Sequence, residues 1–147
     1  YLKWLGKDTN KNIKNYIQKF EDITVGKVIN SKWVPGSLEY IVDNHSNQIF
    51  YVITGTPHNE MKLILEELNI IEYFKNYFGS PKNKIEAIQR TLKQESYNTD
   101  DCIMIGDAHT DHEAALKNNI DFLLRIHNEN KELFKNYKGM TTKDFIF

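Results

Sequence analysis

The chain has 147 residues, 40% of them hydrophobic, 27% charged and 12% aromatic. That length amounts to about one domain, and that balance excludes a disordered or low-complexity chain. Lys and Arg number 19 against 20 Asp and Glu, a net charge of −1, so there is no basic field for nucleic acid or an anionic membrane surface. The single cysteine, Cys102, cannot close an internal disulfide, which fits a reducing, cytoplasmic setting. No apolar run reaches the ~18 residues of a bilayer span, and no signal-like segment opens the chain.

In chain order, Ile13, Tyr16, Ile17 and Phe20 recur at i, i+3, i+4, i+7 and predict an amphipathic helix over Asn10–Phe20. Ile23–Ile29 reads as an extended segment broken by Gly26. Beyond Pro35-Gly36 the pattern alternates between strand and helix. Leu38, Ile41 and Val42 fit a short helix, and Ile49–Ile53 a buried strand. Thr56-Pro57 offers an N-cap with proline at the first helical position, and Met61, Ile64, Leu65 and Leu68 form the helix face behind it. Tyr77-Phe78 is a short strand closed by Gly79, and Ser80-Pro81 repeats the cap-plus-proline device ahead of a stripe of Ile85, Ile88 and Leu92. Cys102–Ile105 is four apolar residues in a row, the mark of a strand covered on both faces. Thr110 to Glu113 has the spacing of a capping box. Phe122–Ile126 is the last strand, followed by a short helix near Glu132–Phe134. Such alternation predicts an α/β fold, a Rossmann-like parallel sheet with helices on both faces and its working site at the carboxyl ends of the strands.

Three groups fall at those ends. Thr54-Gly55-Thr56-Pro57 is either a tight turn or a small anion site, since a hydroxyl, a glycine and a helix N-terminus together favour phosphate. Lys84, one turn into the next predicted helix, is either a solvated lysine or the partner of an anion, because a cation there is otherwise unfavourable by about 0.3–1 kcal/mol. Asp107 and Asp111 flank a predicted helix start. Two carboxylates in one crevice repel unless a cation lies between them, and hard oxygen ligands suit Mg²⁺. His109 and His112 read as loop and helix-surface residues.

Hydroxyl, lysine and paired aspartates in this order resemble the haloacid-dehalogenase-like superfamily, in particular its phosphoglycolate-phosphatase-like members with a helical cap. The likeness runs from about Trp33 to Ile126. Pro35-Gly36 looks like the return from cap to core, which divides the chain into a cap remnant, residues 1–34, and a core, residues 35–147. Ile53–Pro57 looks like the second motif, whose hydroxyl holds the transferring phosphoryl group. Gly79–Lys84 looks like the third, with Lys84 the better match to its lysine and Lys82 the fallback. Ile105–Asp111 looks like the fourth, with Asp107 and Asp111 as the acids on the Mg²⁺ side.

The resemblance thus implies a Mg²⁺-dependent phosphatase of a small phosphorylated metabolite. Thr54, Gly55 and Lys84 would bind the phosphate, with Thr54 and Lys84 serving catalysis. The first motif, an Asp-x-Asp whose first acid forms an aspartyl-phosphate, occurs nowhere in the chain. Since the chain starts at Tyr1 rather than Met, the nucleophile is expected upstream, and the chain alone is expected to be inactive. In the family that motif ends a central strand between those ending at Thr54 and at Gly106. Without it, two unpaired edges about 10 Å apart are expected, twice the usual strand spacing, and such edges invite self-association. The alternative function is a non-catalytic phosphate- or metabolite-binding module, or a fragment completing a partner chain. A dinucleotide-binding domain is disfavoured because no Gly-x-Gly-x-x-Gly follows any strand.

Overall fold

The computed structural model describes residues 13–146. Helix α1 (Ile13–Ile29) leads through α2 (Ser37–Asn44) into strand β1 (Phe50–Pro57), α3 (His58–Glu67) and β2 (Phe74–Ser80). Helix α4 (Lys84–Glu95) then crosses to β3 (Ile103–Gly106), α5 (His109–Lys117) and β4 (Asp121–Arg125), and a short β5 (Met140–Thr142) closes the order. Every strand pair is parallel: Val52 of β1 lies opposite Tyr77 of β2, Ile105 of β3 opposite Leu123 of β4, and Leu124 of β4 opposite Thr141 of β5. This is the expected α/β architecture. Among the described residues the strands form two sheets, β1-β2 and β3-β4-β5, so β1 and β3 each have a strand neighbour on one side only. No helix among the described residues is long and apolar enough to cross a membrane.

Each sheet carries its own core cluster. Val25 of α1 joins Met61, Ile64, Leu65 and Ile70 beside Val52 and Tyr77. Ala115, Phe122, Leu124 and Phe134 form the second cluster, with Met104, Ile120 and Tyr137 against it. Helices α3 and α5 end alike. Asn69 and Asn119 adopt positive φ (54° and 52°), and the next residue donates back into the helix, Ile70 to Leu65 O and Ile120 to Ala115 O. Both are Schellman motifs, with asparagine taking the left-handed position and the following isoleucine packing inward.

The structure corrects several boundaries. Ile23–Ile29 is helical rather than extended, because α1 runs unbroken to Ile29. Helical Gly26 costs about 1 kcal/mol relative to alanine, but Val25, 7% exposed, packs on α3 one residue earlier. Residues 10–12 of the predicted first helix lie outside the described residues. Strand β1 starts at Phe50 and extends to Pro57, leaving Pro57, not Thr56, at the N-cap of α3. The Tyr77-Phe78 strand is longer, reaching Ser80. The Ser80–Pro81 peptide is cis, and Asn83 caps α4 instead, its Oδ1 accepting from Ile85 N at 2.8 Å. Lys84 is therefore the first residue of α4, not one turn in. The predicted final helix near Glu132–Phe134 is a run of turns, while β5 carries no strand-length apolar pattern and escapes a sequence reading.

Strand β3 differs most in substance. A strand covered on both faces was expected, yet Ile103 and Ile105 are 49% and 41% exposed. Helix α5 and β4 cover Met104, and among the described residues nothing comparable covers the alternate side chains.

Candidate functional site

The carboxyl ends of the strands hold the residues singled out above. Asparagine capping places Lys84 at the start of α4, and its Nζ reaches across to α5, 2.5 Å from Asp111 Oδ1 and 3.5 Å from Thr110 Oγ1. Asp111 is the third residue of α5. From there its carboxylate turns back over the helix entrance, Oδ2 accepting from Ala108 N at 3.1 Å and Asp107 N at 3.2 Å. The reaching-back half of a capping box is thus made by Asp111 toward Ala108, not within Thr110–Glu113. The side chain of Asp111 is 7% exposed and that of Lys84 21%. A nearly buried carboxylate is tolerated here because three donors share its two oxygens. Gly106 makes room for it, since a Cβ there would lie 2.5 Å from the Asp111 side chain.

Asp107 is different. Its side chain is 53% exposed, and among the described residues its carboxylate is paired with the His127 ring, whose Nε2 lies 3.5 Å from Oδ2. Among the described residues no group of three His, Cys, Asp or Glu is gathered as a ready metal cage. The donor set nevertheless fits a single hard cation with water and phosphate completing its shell. The Asp107 carboxylate accepts from no backbone donor among the described residues, whereas Asp111 meets Lys84 through Oδ1 and two backbone N–H groups through Oδ2.

Thr54 lies in the last half of β1. Its Oγ1 accepts from Thr56 N and donates to Thr56 Oγ1, each at 3.1 Å. Gly55 is exposed, and a Cβ there would meet nothing within 4 Å. Gly79 at the end of β2 is packed hard against this turn, where a Cβ would run into the Thr56 carbonyl and the His58 backbone. The structure therefore joins Lys84 to Asp111 directly, while the hydrogen bonds of Thr54 stay within its own turn. Lys82, the fallback lysine, sits over the Phe78 ring, 5.3 Å from its centroid, and takes no part in the Lys84 network.

His109 is exposed and stacks on Phe134 with ring centroids 4.3 Å apart. His112 packs against Phe122 and Tyr137. Two residues of this end were not singled out from the sequence, His127 and the buried Asn130, both in the turn after β4. Neither sits in a recognisable pattern, and only the fold brings them to Asp107.

Comparison with known proteins bears on the fold and the family. A structure from Clostridium difficile, described provisionally as a phosphatase, superposes with a TM-score of 0.75 at 24% identity, covering 97% of this chain and 71% of the other. A haloacid dehalogenase-like family hydrolase from Streptococcus pneumoniae gives 0.71 at 18% identity, over 95% and 70%. A protein from Thermotoga maritima, described provisionally as a beta-phosphoglucomutase, gives 0.74 at 20% identity, over 95% and 68%. No protein of curated function matches significantly. The sequence model of the haloacid dehalogenase-like hydrolases matches residues 2–125, spanning Thr54, Lys84, Asp107 and Asp111. Matched over most of its length by that family model, the chain belongs to the haloacid dehalogenase-like hydrolase family.

Proposed function

We propose that this chain carries most of the active site of a Mg²⁺-dependent phosphatase acting on a small phosphorylated metabolite. The observation that supports this reading best is the Lys84–Asp111 pair, which brings a cation at the start of α4 and the acidic entrance of α5 to one place. Phosphoryl transfer asks a protein mainly for positioning and charge compensation. Lys84, steered by Asp111, faces the phosphoryl oxygens as a fixed positive charge. The hydroxyl of Thr54 can turn its proton from Thr56 to a phosphoryl oxygen, and exposed Gly55 lets that group approach the backbone. Asp107 would hold the metal ion, which when bound neutralises charge on the phosphate. Asp111, committed to Lys84 and two backbone N–H groups, steadies the same loop from the side.

Overall, water and a phosphomonoester give an alcohol and inorganic phosphate. In this reading the attacking carboxylate is not supplied by an Asp-x-Asp of these 147 residues, which contain none. In the same reading, the edges of β1 and β3 that have no strand neighbour among the described residues accept an extended strand, from a segment carrying that carboxylate or from a second copy.

Release of inorganic phosphate from a panel of small phosphomonoesters, with Mg²⁺ and with EDTA, tests the proposal on the gene product containing these residues. Asp107→Asn is expected to abolish Mg²⁺-supported turnover, and Lys84→Ala to lower it at least about 100-fold, the scale seen when a positioned charge or donor is lost. Unchanged turnover in Asp107→Asn would remove the assigned role. Mg²⁺ binding without turnover would favour the non-catalytic binding module, a reading that the missing Asp-x-Asp keeps in view.

A further inference from the structure

The turn after β4 carries a buried side chain at the same sheet end as Asp107. Asn130 is 4% exposed. Its Nδ2 donates to Asp107 O and to Arg125 O, each at 2.9 Å, while its Oδ1 accepts from His127 N at 2.8 Å. Reversing the amide would set its oxygen against two carbonyls and its NH₂ against an N–H, so one orientation alone satisfies all three partners. Two donors and one acceptor at this size are the property of a carboxamide. An aspartate of the same shape would lose both donors and bring a negative charge against two carbonyl oxygens.

The consequence falls on Asp107. Its N–H is held by Asp111 from α5, and its C=O is held by Asn130 from beyond β4. The same turn carries His127, whose Nε2 lies 3.5 Å from Asp107 Oδ2. Backbone and side chain of one exposed acid are thus oriented from two directions. A small hard cation demands near-ideal octahedral geometry, so the direction from which a carboxylate meets it matters.

We propose that Asn130 is a positioning residue for divalent-cation binding, fixing the Asp107 peptide so that its carboxylate meets the ion from a set direction. The proposal rests on the reading of Asp107 as the metal-side acid. It goes beyond the family match, which spans residues 2–125 and does not reach Asn130.

The test uses the full chain with Mn²⁺ alone as the probe, whose paramagnetism broadens amide NMR signals near the bound ion. Mn²⁺ is expected to broaden the 107–111 amides of the wild type and to lose that effect in Asp107→Asn. Asn130→Ala and the isosteric Asn130→Asp are expected to raise the Mn²⁺ dissociation constant about 10-fold or more, the cost of losing an outer-shell partner. Leu65→Ala, a destabilising change in the other core cluster, is expected to leave it within about twofold, so general loosening is separated from positioning. Asn130 variants that bind within about twofold of wild type would overturn the proposal, as would failure of both to fold, which would mark Asn130 as purely structural. Should only Asn130→Ala fail to fold, Asn130→Asp decides. No binding by the wild type, or full retention in Asp107→Asn, would instead overturn the metal reading itself and the proposal with it.

Discussion

Asp111 shows how one side chain can hold together a helix entrance and its neighbouring lysine. Its two oxygens take Lys84 Nζ and the N–H groups of Asp107 and Ala108, with 7% of the side chain left exposed. Removing it strands two backbone donors and a lysine together. Asp111→Ala is therefore expected to lower stability by about 1–3 kcal/mol in urea unfolding. Lys84→Met should cost less, because Asp111 keeps its two backbone partners and Lys84 is 21% exposed; an equal or larger loss would show that the pair, not the cap, holds the loop. Tyr137 supplies a pH signature. Its phenol donates to Phe122 O, and burial holds its pKa above the ordinary 10.0. Between 10.0 and that higher value the unfolded chain has lost a proton that the folded chain keeps, so stability is full below this window and falls as pH rises through it. Tyr51, raised by burial and by its Tyr97 hydrogen bond, acts in the same direction. The melting temperature should drop above about pH 10, and Tyr137→Phe should flatten that drop. A slope unchanged in Tyr137→Phe would place the effect on Tyr51 or elsewhere.

At the scale of elements, most of the fold was legible because helices and strands write their burial as a period. Met61, Ile64 and Leu65 mark α3, and Phe122 and Leu124 mark β4. What failed was of another kind. Whether Gly26 breaks α1 depends on α3 being there to bury Val25, and whether a proline or Asn83 opens α4 depends on the path of the turn. The site was legible as residue types at strand ends. That Lys84 would meet Asp111, or that Asn130 would hold Asp107, depends on distances across 27 and 23 residues of chain, which no local pattern encodes. Two predictions belong here. At the Schellman position of α5, Asn119→Ala should cost about 1–2 kcal/mol, since an L-residue with a Cβ resists the left-handed region that asparagine tolerates, while Asn119→Gly should cost nothing. Chemical unfolding of both variants checks this. On β3, Ile105→Lys places a charge on an exposed edge strand and should shift sedimentation toward monomer if edge pairing drives association; unchanged sedimentation of an associating wild type would exclude this edge.

Across the whole molecule, two apolar clusters sit under two sheets, and both α4 and the chain after β5, whose Phe145 N donates to Pro35 O at 2.8 Å, link the two halves. In α4, Ala87 and Ile88 are buried, Lys84 grips Asp111, and the Ile85 carbonyl accepts from Asn118 Nδ2 at 3.1 Å. Leu65→Ala should cost about 2–5 kcal/mol, and the cost should register in the α1-α3-β1-β2 half first. A core divided this way has a consequence for how the chain opens. With no strand shared among the described residues, either half can come apart while the other persists, so amide hydrogen exchange should sort into two protection classes rather than one. The α4 amides should follow the more protected class. The Lys84–Asp111 pair, made between α4 and α5, then exists only while α4 stays docked on α5.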